Sequence, residues 1–167
     1  MNVQDILTLY DYNYWANKQI LAASEKVTKE QLLAPASFPF GSLRGTLVHI
    51  LDAEFGWRMF FQHNDWSAPE LKPEAFPTLA ALRERFDGEE KEMRAYLAAL
   101  RDEDMHVHRH YDTPEGNHRD RILWNCLWHV VNHGTQHRSE AAALLTDYGS
   151  SPGDLDFTVF LNSIQKS

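Results

Sequence analysis

LWNCLWHVVNHGTQHRSEAAALL, residues 123–145, is the stretch that decides the fold. Apolar residues recur in it at helical spacing, and His133 and His137 fall on the same stripe. Residues four apart on a helix share one face, with Cβ atoms about 5–6 Å apart. The segment therefore predicts a helix that points two histidines into the protein, where one metal ion can accept a nitrogen from each.

Two interpretations of these histidines stay open at this point. A single histidine on an apolar face is more often a hydrogen-bonded core residue than a metal ligand. Two at this spacing, with His129 a further turn back, make metal binding about as plausible, because each buried imidazole needs a polar partner. The metalloprotease motif HExxH is excluded, since Gly134 stands where that motif has glutamate.

Composition favours one domain spanning residues 1–167, which is long enough to bury a core without disulfides. The formal net charge of −8, from 24 acidic and 16 basic side chains, argues against nucleic-acid and anionic-lipid partners. The lone Cys126 fits a reducing compartment. We find no basic leader and no apolar run of membrane-spanning length, so we expect a soluble, cytoplasmic protein.

Helical periodicity predicts three other long helices and a short last one, over residues 3–24, 42–63, 79–100 and 155–164. Asn17 is the polar member of the first stripe, and we interpret it as a register-fixing core amide rather than a cavity group. The charged run RERFDGEEKEMR, residues 83–94, predicts a solvated face. The fold class is therefore all-α, a four-helix bundle with a short C-terminal helix.

The period changes between the third and fourth long helices. Residues 105–111 alternate and are followed by TPEGN at residues 113–117, which predicts a small β-hairpin with its turn at Pro114 to Gly116. The alternating His106, His108 and His110 could bind a metal from one strand face. Polar side chains facing water are more typical of such a ribbon, and we prefer that interpretation.

Small residues surround a further histidine, His49, in the second long helix. Gly45, Thr46, Ala53 and Gly56 lie within two turns of it. They leave room either for close packing of a facing helix or for a ligand. The residues alone do not choose between these two uses.

Four segments in order resemble one family: YDYNYWANKQIL (10–21), GSLRGTLVHILDAEFGW (41–57), WHVVNHGTQHRSE (128–140) and SSPGDLDF (150–157). They are similar to the DinB-like, or YfiT-like, family of metal-dependent enzymes over essentially the whole chain. The resemblance implies a four-helix bundle that holds one divalent metal on His49, His133 and His137, at about 2.0–2.2 Å. Zn²⁺ and Ni²⁺ both suit imidazole ligands.

Further residues become candidates for orienting a ligand or lining the substrate pocket. The resemblance implies His129, and positions close to the ligands in sequence add Asp52, Glu140 and Arg138. For Glu140 we rank orientation or pairing above catalysis. Arg138 could neutralise a substrate carboxylate or serve as a surface salt-bridge partner. The family's usual HHRGQ reads QHRSE here, at residues 136–140, which keeps His137 and Arg138 but changes their surroundings.

Three nitrogens with open coordination positions describe a catalytic rather than a structural metal site. Family members that this chain resembles include thiol S-transferases, which implies a metal that activates a low-molecular-weight thiol for attack on a small-molecule substrate. A metal-dependent hydrolase and a non-catalytic metal-binding stress-response protein are the alternatives. The resemblance also implies a homodimer.

Overall fold

The predicted long segments are helices in the computed structural model, which describes residues 1–37, 40–64, 66–113 and 115–165. The four long helices are α1 (Val3–Ser24), α3 (Leu43–His63), α4 (Leu79–Ala98) and α5 (Leu123–Asp147). Two shorter helices, α2 (Lys29–Leu33) and α6 (Phe157–Ile164), follow α1 and α5. Because α1 and α3 each pack against both α4 and α5, the long helices close a four-helix bundle. The predicted all-α fold is confirmed.

Side-chain caps set where three of the four long helices begin. Asn2, Ser42 and Thr78 each accept a hydrogen bond from a backbone N–H in the first turn of α1, α3 and α4, respectively. Helix α4 ends two residues earlier than predicted, since the N–H of Ala99 closes a tighter turn on Tyr96. Helix α6 begins two residues later than predicted, because the segment before it forms a turn in which the Asp154 side chain accepts the N–H of Asp156.

The predicted hairpin lies between α4 and α5. Its strands β1 (His108–Asp112) and β2 (His118–Ile122) are antiparallel, and His110 lies opposite Asp120. Pro114, part of the predicted turn, lies outside the described residues. His106 ends a 3₁₀ turn (Asp102–His106) that precedes the strand, so it does not share the strand face predicted for it.

The core of the bundle is divided into two apolar clusters. One contains Ile6, Phe60 and Leu127, and the other contains Ile20, Leu51 and Leu145. In each long helix, buried polar side chains lie between the segments that supply the two clusters: Asn17, Glu54, Arg58, Glu89, His137 and Arg138. This polar layer crosses the middle of the bundle, at the level of the two α5 histidines.

The prediction of a solvated charged face on α4 is wrong at Glu89. This residue lies three after Phe86 and four before Met93, both buried, so it shares their face and is only 1% exposed. Its carboxylate accepts from the Arg58 Nη2, at 2.9 Å, and from the Arg85 Nη1, at 3.0 Å. A buried carboxylate requires such partners.

Among the described residues, none of the helices combines the length and the apolarity needed to cross a membrane.

Candidate metal centre

Three histidines from two neighbouring helices converge at one point of the bundle. His49 comes from α3 and His133 and His137 come from α5, and each offers a ring nitrogen within 4.8 Å of the other two. The Nε2 atoms of His49 and His133 are 3.0 Å apart. Two metal–nitrogen bonds of about 2.1 Å, at about 90–110° to one another, place their nitrogens about 3.0–3.4 Å apart. The spacing therefore fits one metal ion.

The surroundings keep the imidazoles of His49 and His133 uncharged at neutral pH. Burial, followed by the neighbouring His137 and His49, lowers the pKa of His133 to about 3. Burial and His137 lower the pKa of His49 to about 4, against the opposing carboxylates of Glu140 and Glu70. Metals bind the neutral imidazole, so the site presents these two ligands in their binding form.

Glu140 contacts the third histidine in the manner that its predicted orienting role requires. Its Oε2 lies 2.8 Å from Nδ1 of His137, three residues earlier on α5. A carboxylate on one ring nitrogen fixes the tautomer and leaves the other nitrogen for a metal. His133 differs, since its Nδ1 is buried without a hydrogen-bond partner among the described residues.

Phe40 covers the histidines from the loop before α3. Its ring stacks on that of His49, with centroids 3.6 Å apart and planes 16° from parallel, and meets His137 edge-on at 5.1 Å. Gly45 makes this possible, because a Cβ there would lie 1.9 Å from the carbonyl oxygen of Phe40. Sequence reasoning missed Phe40, although the small residues beside His49 indicated that something approaches this helix closely.

One cavity opens beside His49, and a second shares part of its wall. The first, about 170 Å³, is lined by His49, Phe40, Gly45, Asp52 and Glu70 among others. The second, about 200 Å³, shares Asp52 and Glu70 and is lined also by Ala53, Gly56, Trp57 and Trp66. The sequence had left two interpretations of the small residues around His49, close helix packing or room for a ligand. Gly45, Ala53 and Gly56 line these cavities, as the second interpretation requires. Thr46 does not line either cavity and is fully buried.

Asp52 connects the cavity wall to the loop that follows α3. Its Oδ1 accepts the backbone N–H of Leu71 at 2.7 Å. Burial raises the pKa of its carboxyl, in opposition to that hydrogen bond. The structure thus places Asp52 beside His49 and gives it a loop-anchoring contact.

His129 and Arg138 lie apart from the three convergent nitrogens. His129 is exposed, with its ring centroid 5.8 Å from that of His133 and 5.3 Å from that of Trp57. Arg138 is 1% exposed and points to α1, where its Nη1 donates to the side-chain oxygens of Asn13 and, at 2.9 Å, Asn17. The side chain of Asn17, predicted to be a core amide, therefore joins α1 to α5 through its hydrogen bond with Arg138.

Gly134 leaves the space that Arg138 occupies. A Cβ at Gly134 would lie 2.7 Å from the Arg138 Nη1 and 3.0 Å from the Asn13 Oδ1. A glutamate at this position, as in HExxH, would displace the guanidinium. The absence of that motif thus has a packing reason in this chain.

Glu54, in the polar layer of the bundle, is a buried carboxylate that sequence reasoning missed. It accepts from the Tyr14 hydroxyl at 2.6 Å and from the Asn13 Nδ2 at 3.1 Å. Burial, helped by the Glu89 carboxylate, raises its pKa to about 7 against these hydrogen bonds. Its position three residues after Leu51, on the apolar stripe of α3, was the available signal.

The fold and the site together define a class: four-helix bundles with a candidate metal site made of three histidines from two adjacent helices, beside a cavity. The sequence model of the DinB family matches residues 1–167, and the chain belongs to that family. It is also similar to Protein DinB of Bacillus subtilis (strain 168), with 28% identity over 165 residues, which cover 95% of this chain and 96% of the relative. The predicted family is confirmed.

Proposed function

We propose that the protein is a metal-dependent enzyme in which one divalent ion, held by His49, His133 and His137, activates a small thiol for transfer to an electrophilic substrate. The convergence of the three ring nitrogens beside a cavity carries this proposal. Structural zinc is closed by four protein ligands, whereas a three-histidine set leaves positions for an exogenous ligand. Zn²⁺ and Ni²⁺ are the proposed ions, since both suit imidazole.

When bound, the ion would lower the pKa of a coordinated thiol and hold it as a thiolate at neutral pH. The chemistry that the ion would supply is transfer of the sulfur to an electrophilic carbon, in which the thiol proton passes to solvent, a carbon–sulfur bond forms and a leaving group such as chloride departs with its electron pair. Glu140 keeps His137 in one tautomer, through its contact with Nδ1. Phe40 shields one face of His49 from water.

The cavities support a substrate that is flat and apolar. Trp57 and Trp66 line the second cavity, with ring centroids 4.8 Å apart, and aromatic walls suit such groups. Asp52 and Glu70, which both cavities share, disfavour an anionic substrate at this point.

Cys126, the chain's own thiol, is not the proposed nucleophile. It is buried in the apolar cluster of Ile6 and Leu127, and burial raises its pKa to about 11. A thiol in such surroundings is inert at neutral pH. A free, buried cysteine agrees with the proposed cytoplasmic location, where thiols stay reduced.

The test combines metal loading with a panel of thiols and electrophiles. Metal-loaded protein is incubated with several low-molecular-weight thiols and either a chlorinated dinitroaromatic or an epoxide, and conjugation is followed by absorbance and mass. We expect conjugation that requires metal and is lost in His49→Ala but kept in His63→Ala, an exposed histidine on the same helix.

The remaining outcomes decide between the alternatives. Metal-dependent ester or amide cleavage without thiol would replace the transferase by the hydrolase. Metal binding with no turnover, and no metal-dependent thermal shift with any thiol, would favour a non-catalytic metal-binding protein.

We also propose a homodimer. Trp128, on α5, is 42% exposed, and a tryptophan on the surface of a helix is a frequent interface residue. Light scattering should give about twice the chain mass of 19.3 kDa, with Trp128→Ser shifting the mass towards that of one chain. A mass near 19.3 kDa for the unaltered protein at micromolar concentration would contradict the proposal.

A further inference from the structure

The hairpin carries a second group of imidazoles, away from the bundle centre. Because β1 and β2 pair in register, His108, His110 and Asp112 share one face with His118 and Asp120. Arg109, Tyr111, Arg119 and Arg121 alternate with them and belong to the opposite face. The outer face therefore combines three histidines and two carboxylates with no lysine or arginine.

Asp120 lies between two of these histidines. Its Oδ1 is 2.6 Å from Nδ1 of His108 and 3.7 Å from Nδ1 of His110. The first is a hydrogen-bond distance, and the second is longer than the about 3.0–3.4 Å that separates neighbouring ligand atoms around one zinc-sized ion. Rotation of the exposed His108 and His110 side chains would bring both imidazole nitrogens and the Asp120 oxygen to the spacing of a shared cation.

Sharing one ion requires the two rings to move closer. The ring centroids of His108 and His110 are 6.2 Å apart, whereas those of the three histidines in the bundle centre are 4.4–4.8 Å apart. His108 and His110 are more than half exposed, so their side chains can rotate by that amount at little cost. The strand pairing holds their Cα positions, since His110 lies directly opposite Asp120.

We propose that the outer face of the hairpin is a second divalent-cation site, with His108, His110 and Asp120 as its ligands. Two imidazoles and one carboxylate are a ligand set that Zn²⁺, Ni²⁺ and Cu²⁺ accept. The site is independent of the centre formed by His49, His133 and His137, because the hairpin residues belong to different elements and face solvent. It is exposed, so the cation keeps water in its remaining positions.

The competing explanation is that these are ordinary surface ion pairs between histidines and aspartates. Exposed ion pairs contribute little to the stability of the fold, so a stability measurement does not distinguish the two explanations. The two explanations differ in what Zn²⁺ does at neutral pH: a site binds it with defined stoichiometry, whereas ion pairs do not.

The experiment uses the full chain, without an affinity tag, in a His49→Ala/His133→Ala background that lacks the bundle site. Zn²⁺ is titrated by calorimetry, and Cu²⁺ is used as a paramagnetic probe of backbone amide signals. We expect one equivalent of Zn²⁺ and selective broadening over residues 107–122. Adding His110→Ala should remove that equivalent, and Asp120→Asn should weaken it about tenfold or more.

His106→Ala is the matched control, since His106 is exposed and lies next to the hairpin but not on its outer face. It should leave stoichiometry and affinity unchanged. The proposal is overturned if the background variant binds no Zn²⁺, or if His110→Ala and His106→Ala bind it equally. Since the bundle histidines are absent from every protein in the series, neither result depends on the proposed enzyme function.

Discussion

Replacement of Glu54 by glutamine should change how the stability of the bundle depends on pH. Glu54 is buried in the polar layer, and its pKa of about 7 lies about 2.5 above the ordinary 4.5. At 1.36 kcal/mol for each unit of pKa, this difference corresponds to a free energy on the order of 3 kcal/mol.

The direction follows from proton binding. A carboxyl whose pKa is raised on folding holds its proton more firmly in the folded state, so its contribution to stability is fully present below pH 4.5. That contribution is lost as the pH rises through about 7. Glutamine stays neutral, so the Glu54→Gln protein should gain about 3 kcal/mol relative to the unaltered protein between pH 4.5 and 8.

Urea unfolding at several pH values measures this difference. The substitution replaces a carboxylate by an amide beside the Asn13 Nδ2, which adds a constant to the difference in free energy of unfolding. That constant does not vary with pH. Glu84→Gln, an exposed residue on α4, controls for the loss of one carboxylate. A Glu54→Gln difference that stays constant within about 0.5 kcal/mol across this range would refute the burial of an ionisable Glu54.

Three other predictions concern the centre and its surroundings. Gly45→Ala should destabilise the protein, because its Cβ would lie 1.9 Å from the carbonyl oxygen of Phe40. Gly88→Ala, where the new Cβ meets open space, should stabilise the protein by about 1 kcal/mol. Equal stabilisation by the two substitutions in urea unfolding would contradict this prediction. Glu140→Gln should weaken metal binding about 10–100-fold in calorimetry without changing stoichiometry, and an unchanged affinity would remove its orienting role. Cys126, with a pKa of about 11, should resist a thiol reagent at pH 8 until urea is added, and full labelling of the folded protein would contradict its burial.

Local periodicity was sufficient to predict the helices and one pair of histidines. The positions of His133 and His137 follow from the four-residue spacing alone, because both lie on one helix. His49 differs, since its approach to them depends on how α3 packs against α5. Its assignment to the same site came from the family resemblance, and the structure brings the three rings together.

The residues that were missed depend on contacts between distant segments. Phe40 reaches His49 from a loop, and loop conformation has no periodic signature. Glu54 and Glu89 lie on apolar stripes, where their position indicates burial, but their charge favours the surface. Their partners on other helices, Tyr14 and Arg58, reverse that preference, and partners across a bundle are not readable from a single helix.

The metal content of variants purified with Zn²⁺ or Ni²⁺ tests the central claim most directly. His133→Ala removes a convergent nitrogen, whereas His129→Ala removes an exposed imidazole one turn earlier on the same helix. With His110, a proposed hairpin ligand, replaced by alanine in every protein, elemental analysis should find one metal per chain in the unaltered centre and in His129→Ala, and none in His133→Ala. Full metal in His133→Ala, with loss in His129→Ala, would contradict the assignment of His49, His133 and His137 as the metal ligands.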